Sequence, residues 1–245
     1  MELAKIILVA SGKGGAGKST VSALLGEALA FSGKRVLLLE LDSGLRSLDV
    51  ALGVTKNLVF DLGDIVRGSA DIQSAAMPCP FCKNLSVICA AANSEPVSKE
   101  PLQNICAAVS ADFDCVILDC PAGIGESLSA AAEASDLALV VATPDPSSIR
   151  AAGAAGRALR AKTALERRLV IERCPKKARK LAPINNLDEI IDGAELQLIG
   201  VIWEDPETRR AMDSGSALSP DSPNHKAFRD LGKRVFGERV PLGFK

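Results

Sequence analysis

Tyrosine is absent from the 245 residues, tryptophan and histidine occur once each, and aromatic side chains make up 3%. With 47% apolar residues, the core must be aliphatic, built from Leu, Val, Ile and Ala. The single histidine, His225, has no partner at catalytic spacing and reads as a surface residue. Long apolar runs are missing too. None approaches the roughly 18 residues of a membrane-spanning helix, and no signal-peptide pattern precedes the first strand-like run. The chain therefore reads as cytoplasmic. A net charge of −1 lacks the field of a nucleic-acid protein, which disfavours that role while leaving room for a local basic patch.

What is present begins at residue 5, in a chain long enough for one large α/β domain spanning residues 1–245. Ile6, Ile7, Leu8 and Val9 lead directly into Gly12, Lys13, Gly14, Gly15, Ala16, Gly17, Lys18, Ser19 and Thr20. An apolar, helix-prone stretch follows to Phe31. Strand, glycine-rich turn and helix carry the spacing G-x-x-x-x-G-K-[ST] of a phosphate-binding loop. Glycines let backbone N–H groups converge on an anion, because no Cβ blocks the turn or the approach. The helix beginning near Lys18 aims its unpaired N–H groups at the phosphates. Lys18 is placed to reach the β- and γ-phosphates, and the Ser19 hydroxyl to complete a Mg²⁺ shell.

Further along, residues 35–41 form a continuous apolar run, as expected for a strand buried on both faces, and deliver Glu40 and Asp42 to its end. Residues 114–119 do the same for Asp119, a carboxylate suited to a Mg²⁺-bound water. Residues 84–93 and 167–174 read as further strands, and residues 136–152 as a strand that turns into a helix. Helices are expected over residues 59–70, ending at Gly68, over 98–113 with Ser98 as N-cap, and over 222–236. The alternation fits an α/β fold with a mostly parallel sheet. Seven cysteines include one Cys-x-x-Cys pair, Cys79 and Cys82. That pair fits reduced thiols on a loop; two such pairs in a symmetric dimer would make a four-thiolate site.

Lys13 changes the loop to K-G-G-A-G-K-S, which resembles the deviant Walker A signature of the ParA/MinD class of ATPases. Four more stretches, in the same order, resemble the MinD type. They are Glu40, Asp42, Gly44, Leu45, Arg46, Leu48 and Asp49; then Asp119 with Pro121, Ala122 and Gly123; then Thr143, Pro144, Asp145, Ser147, Ser148 and Arg150; then residues 197–218. The resemblance implies that the sheet is doubly wound, with about seven or eight strands and helices on both faces. It also implies ATP and ADP as ligands with Mg²⁺, and an ATP-dependent homodimer with Lys13 acting on the partner's phosphates. It implies Asp42 orienting the attacking water near the metal, and Ser19 and Asp119 holding that metal. Glu172 and Arg173 would face the adenine, bordered by Trp203, Glu204, Asp205 and Pro206. Slow basal turnover, protein regulators of cell division as partners, and peripheral location at the inner face of the cell membrane are implied as well.

Departures are specific. Glu172 stands where the pattern has Asn, Trp203 where it has Pro, Glu40 where it has Asp, and Ala151 where an acidic residue follows the arginine. A carboxylate at 172 accepts from an exocyclic amine but cannot donate to a ring nitrogen. The basic run Lys176, Lys177, Arg179 and Lys180 is read as a solvated loop or a guide for an acidic partner or headgroups. The sequence ends at GERVPLGFK, without the C-terminal amphipathic helix typical of the MinD type. Alternative readings are a ParA-like DNA or cargo-partition ATPase, an iron–sulfur carrier using Cys79 and Cys82, and a nucleotide-gated scaffold. A tyrosine kinase of this class is disfavoured by the lack of tyrosine.

Overall fold

The computed structural model describes residues 3–44, 46–92, 95–162, 164–176 and 186–242. Strand β1 (Lys5–Ala10) lies inside the sheet, and the pleat sorts its side chains between two cores. Ile7 and Val9 face one layer of helices; Leu8 and Ala10 face the other. The same sorting holds in β2 (Val36–Glu40), where all five residues are buried, Leu38 on one side and Leu37 and Leu39 on the other. Burial on both faces is why these strands read as continuous apolar runs rather than alternating ones.

The chain runs β1, α1 (Lys18–Phe31), β2, α2 (Leu48–Ala51), α3 (Leu62–Arg67), α4 (Ile72–Ala75), β3 (Met77–Pro78), β4 (Leu85–Ile88), α5 (Lys99–Val109) and β5 (Cys115–Asp119). It continues with α6 (Glu126–Glu133), β6 (Leu137–Ala142), α7 (Pro146–Lys162), β7 (Glu166–Cys174), α8 (Leu187–Ala194), β8 (Gln197–Trp203), α9 (Pro206–Ser214) and α10 (Pro223–Val235). The eight strands form one sheet in the order β3-β4-β2-β5-β1-β6-β7-β8. Every neighbouring pair is parallel except β3 with β4. Helices α1, α9 and α10 cover one face through Leu25, Ala211, Phe228 and Leu231. Helices α5 to α8 cover the other through Ile105, Leu128, Leu159 and Ile190. This is the doubly wound sheet the resemblance implies, with the strands' C-terminal ends opening on a common edge.

Some local expectations change. Helix α3 is shorter than residues 59–70: Asp61 and Asp64 cap it reciprocally, and Gly68 ends it at φ 73°. Ser98 precedes α5 but makes no side-chain cap bond. Strand β3 is not visible in the sequence, being two residues long, and its Pro78 is tolerated because the strand lies at the sheet edge. Cys79 and Cys82, read as loop-borne, are buried in the α1-side core at 4% and 3% exposure. His225, read as a surface residue, is half-buried in the first turn of α10.

Two tertiary ties matter below. Gly53 (φ 66°), just past α2, and Gly215 (φ 60°), ending α9, meet backbone to backbone, and a Cβ on Gly215 would lie 2.6 Å from the Val50 carbonyl. Asn224 of α10 accepts from the Trp203 N–H at 2.8 Å and donates to the Trp203 carbonyl at 2.8 Å.

Candidate active site

The phosphate loop follows β1 and ends at Gly17, the residue before α1. Gly15 (φ 74°) and Gly17 (φ 92°) are left-handed, a conformation that glycine adopts without a Cβ penalty. Gly12 is required by space instead, since a Cβ there would fall 2.0 Å from the Ala151 carbonyl oxygen of α7. Gly17 carries no capping side chain, so the first N–H groups of α1 remain available to an anion. Lys18 opens the helix and is buried at 8% exposure. Thr20, one residue past Ser19, is half-buried within α1.

Asp119 ends β5 beside β1, in register with Val9, and is 1% exposed. Ser19 Oγ donates to its Oδ2 at 2.6 Å and Ser22 Oγ to its Oδ1 at 2.8 Å. Burial pushes the Asp119 carboxyl up, opposed by the two serine hydrogen bonds and the Lys18 charge, while the charge of Asp42 adds to the rise. Ser22 is a participant the sequence reading missed. Its signal is the i, i+3 spacing from Ser19, which puts both hydroxyls on one face of α1.

Asp42 follows β2 and is half-buried, its Oδ1 accepting from the Gly44 N–H at 3.2 Å. It caps no helix. Glu40 does that work, accepting from the N–H groups of Ser47 and Leu48 where α2 starts. Arg46 and Asp49 form an ion pair at 3.5 Å. Leu45 lies outside the described residues, as do Lys177, Arg179 and Lys180; Lys176 is exposed.

Lys13 is half exposed and engaged within its own chain. Its Nζ donates to Ser147 Oγ at 2.8 Å and lies 3.6 Å from Asp145 Oδ1. Asp145 also accepts from Thr143 Oγ1 at 2.6 Å, Ser147 Oγ at 2.6 Å and the Ser148 N–H at 3.0 Å. Burial alone would raise its carboxyl. The three hydrogen bonds and the Lys13 charge outweigh that and hold it well below the ordinary range.

On the β7 side, Glu172 is 4% exposed and lies against the loop: a Cβ on Gly17 would sit 2.6 Å from its Cδ. Its Oε2 accepts from Arg173 Nε at 2.7 Å, while Arg173 Nη2 donates to the Gly15 carbonyl. Arg173 holds this clasp with a left-handed backbone, φ 54°. Burial pushes Glu172 up to about 7, with Arg173 pulling down and Glu204 adding to the rise. Trp203 is half-buried against the core, and the Glu204 N–H donates to the Cys174 carbonyl at 2.8 Å. Asp205 Oδ2 accepts from Ser222 Oγ at 2.6 Å, and Pro206 opens α9. Loop, acidic strand end and the 172–173 pair thus meet at one edge of the sheet. Cys79 and Cys82 belong elsewhere, and among the described residues no three His, Cys, Asp or Glu side chains converge as a metal cluster. A four-thiolate site between protomers needs thiols at the surface, and these are inside the core.

Comparison with known proteins matches nearly the whole chain. The ParA family model, described as NUBPL iron-transfer P-loop NTPase, matches residues 2–236. The septum site-determining protein MinD of Bacillus subtilis is 35% identical over 246 residues, covering 98% of this chain and 92% of its own. That of Helicobacter pylori is 33% identical, covering 97% and 92%. Among solved structures, the MinC:MinD cell division protein complex of Aquifex aeolicus matches with a TM-score of 0.90 at 29% identity, covering 98% of this chain and 99% of that one. MinD complexed with Mg-ADP from Pyrococcus horikoshii matches with a TM-score of 0.84 at 27% identity, covering 96% and 97%. The chain belongs to the MinD septum site-determining proteins, within the ParA family of P-loop NTPases.

Proposed function

We propose that this protein is an ATP-dependent switch of the MinD type, hydrolysing ATP to ADP and phosphate to regulate division-site placement. The observation that carries this reading is the joining of the phosphate loop to the acidic strand end: Ser19 and Ser22 both reach Asp119, and the charge of Asp42 acts there too. A glycine cradle without that carboxylate would bind phosphate and do nothing more. The MinC:MinD and Mg-ADP-bound relatives, similar over nearly the whole chain, support the same reading.

The residues at the edge fit Mg²⁺, because the Ser19 hydroxyl and the Asp119 and Asp42 carboxylates are hard oxygen donors of the kind it takes alongside water and phosphate. Bound Mg²⁺ would offset charge developing on the phosphate oxygens during transfer. Lys18 serves the β- and γ-phosphates of its own nucleotide. Asp42 accepts a hydrogen bond from the attacking water and orients it. Lys13 leaves Ser147 and Asp145 to contact the partner's nucleotide in a face-to-face homodimer. Glu172, Arg173 and residues 203–206 border the adenine. Positioning and charge neutralisation carry phosphoryl transfer without a covalent nucleophile, in keeping with slow, Mg²⁺-dependent turnover.

A cell-division regulator is the partner this reading calls for, and the inner face of the cell membrane the place. No helix among the described residues is long and apolar enough to cross a membrane. Phosphate release from ATP tests the core of the proposal. Lys18→Ala is expected to lose at least roughly 100-fold in turnover, as removal of a charge-stabilising donor does elsewhere, and chelation of Mg²⁺ to stop the parent. Parental turnover in Lys18→Ala overturns the reading.

A further inference from the structure

Glu40 ends β2 in register with Asp119 of β5, and none of its surface is exposed. A carboxylate so buried must be met by donors, and it is met by three backbone N–H groups. Oε1 accepts from Ser47 at 2.7 Å and Leu48 at 3.0 Å; Oε2 accepts from Ala90 at 3.3 Å. Asp42 lies between the two ends of this grip. The chain leaves β2 at Glu40, passes through Asp42, and returns to the Glu40 carboxylate at Ser47.

Within the excursion, Arg46 also pairs with Asp49 of α2 at 3.5 Å. Ser47 makes no capping bond with its own side chain. Asp42 bonds only its near neighbour Gly44 among the contacts described above. Beyond α2 the segment is stopped again, where Gly53 abuts the Gly215 carbonyl, 2.9 Å from the site of a Cβ. The stretch carrying Asp42 is therefore short and held at both limits, with Glu40 setting the nearer one.

The geometry points to Glu40 as a positioning residue for hydrolysis: it acts through Asp42, fixing residues 42–48 so that Asp42 is presented beside Asp119. This rests on the ATPase reading above and adds a residue to it.

The test compares Glu40→Gln and Glu40→Asp with the parent in the full chain. Glutamine keeps one acceptor oxygen and turns an amide donor toward backbone N–H groups. Aspartate keeps both oxygens and is the conservative comparison. In the nucleotide-free protein, amide exchange at Ser47 and Leu48 is expected to accelerate by about tenfold or more in Glu40→Gln, with α1 unchanged. Single-turnover ATP hydrolysis is expected to fall by about tenfold or more while ADP affinity stays within about threefold, the pattern of a lost transition-state contribution. Glu40→Asp is expected to lose less in both.

Unchanged exchange, or faster exchange with parental hydrolysis, overturns the proposal. So does a loss of ADP affinity as large as the loss in rate. If neither variant folds cooperatively, Glu40 is a core residue and the proposal falls. If the parent itself hydrolyses no ATP, the ATPase reading fails separately, and the exchange measurement still decides whether Glu40 holds the segment.

Discussion

Gly17 must be glycine twice over: its backbone is left-handed, and Glu172 occupies the volume a Cβ would need. The Glu172 side chain has little room to retreat, because Arg173 ties it to the loop. Gly17→Ala is therefore expected to cost about 1–3 kcal/mol, the range for a non-glycine residue forced into a sparsely populated backbone region. Chemical denaturation measures that loss. Nucleotide affinity should fall with it, by at least roughly tenfold, since the same backbone aims the N–H groups at the phosphates. A variant as stable and as tight-binding as the parent would mean that the loop does not need this conformation. Loop residues of this kind were legible in the sequence because their spacing is local. Ser22 and Glu40 were not, because their roles depend on partners that only folding brings close: Asp119, 97 positions from Ser22, and Ala90, 50 positions from Glu40.

Helix α1 carries a buried charge unrelated to phosphate. Glu27 is 4% exposed and accepts from the Leu218 N–H at 3.0 Å, pinning the segment between α9 and α10. Burial pushes its carboxyl up to about 7 from 4.5, with the Leu218 bond opposing. The sign follows from proton counting. Above pH 4.5 the unfolded chain gives up this proton while the folded chain keeps it, so folding weakens as pH rises to about 7 and is level beyond. The full span is worth on the order of 3 kcal/mol. Glu27→Gln retains the acceptor for Leu218 and removes the titration. It is expected to match the parent near pH 4.5 and to exceed its stability by about 1–3 kcal/mol near pH 8, in denaturant titrations at the two values. A parallel pH slope in both proteins would remove Glu27 as its source. Elements of this kind show how far pattern reading goes. The buried parallel strands announce themselves as apolar runs, whereas β3, two residues at an edge, has no period to read. Cys79 and Cys82 do lie on the loop after β3, but that loop packs into the α1-side core, which spacing alone does not reveal.

At the scale of the whole molecule, Lys13 separates the protomer from the proposed dimer. Its contacts with Ser147 and Asp145 are half exposed, and such surface pairs contribute about 0–1 kcal/mol. Lys13→Ala should leave the thermal unfolding of the nucleotide-free protomer nearly unchanged while abolishing ATP-dependent dimerisation, read by sedimentation with and without ATP. Dimerisation at the parental level would show that Lys13 has no role across the interface. Assembly of this kind was approachable only through the resemblance, since no periodicity or composition marks the face of the proposed nucleotide-dependent dimer. The mostly parallel α/β sheet, by contrast, followed from alternating apolar runs and helical stretches.

One scarcity in the composition has an optical consequence. With no tyrosine and a single tryptophan, the intrinsic ultraviolet emission of the folded chain comes from one indole. Trp203 sits half-buried at the end of β8, its backbone clamped by Asn224 and its ring against the core. A ligand entering or leaving the edge formed by residues 203–206 is expected to change the wavelength or yield of that emission, with no second indole or phenol to dilute it. If residues 203–206 border the adenine as proposed, nucleotide binding is expected to be readable in this emission without a label.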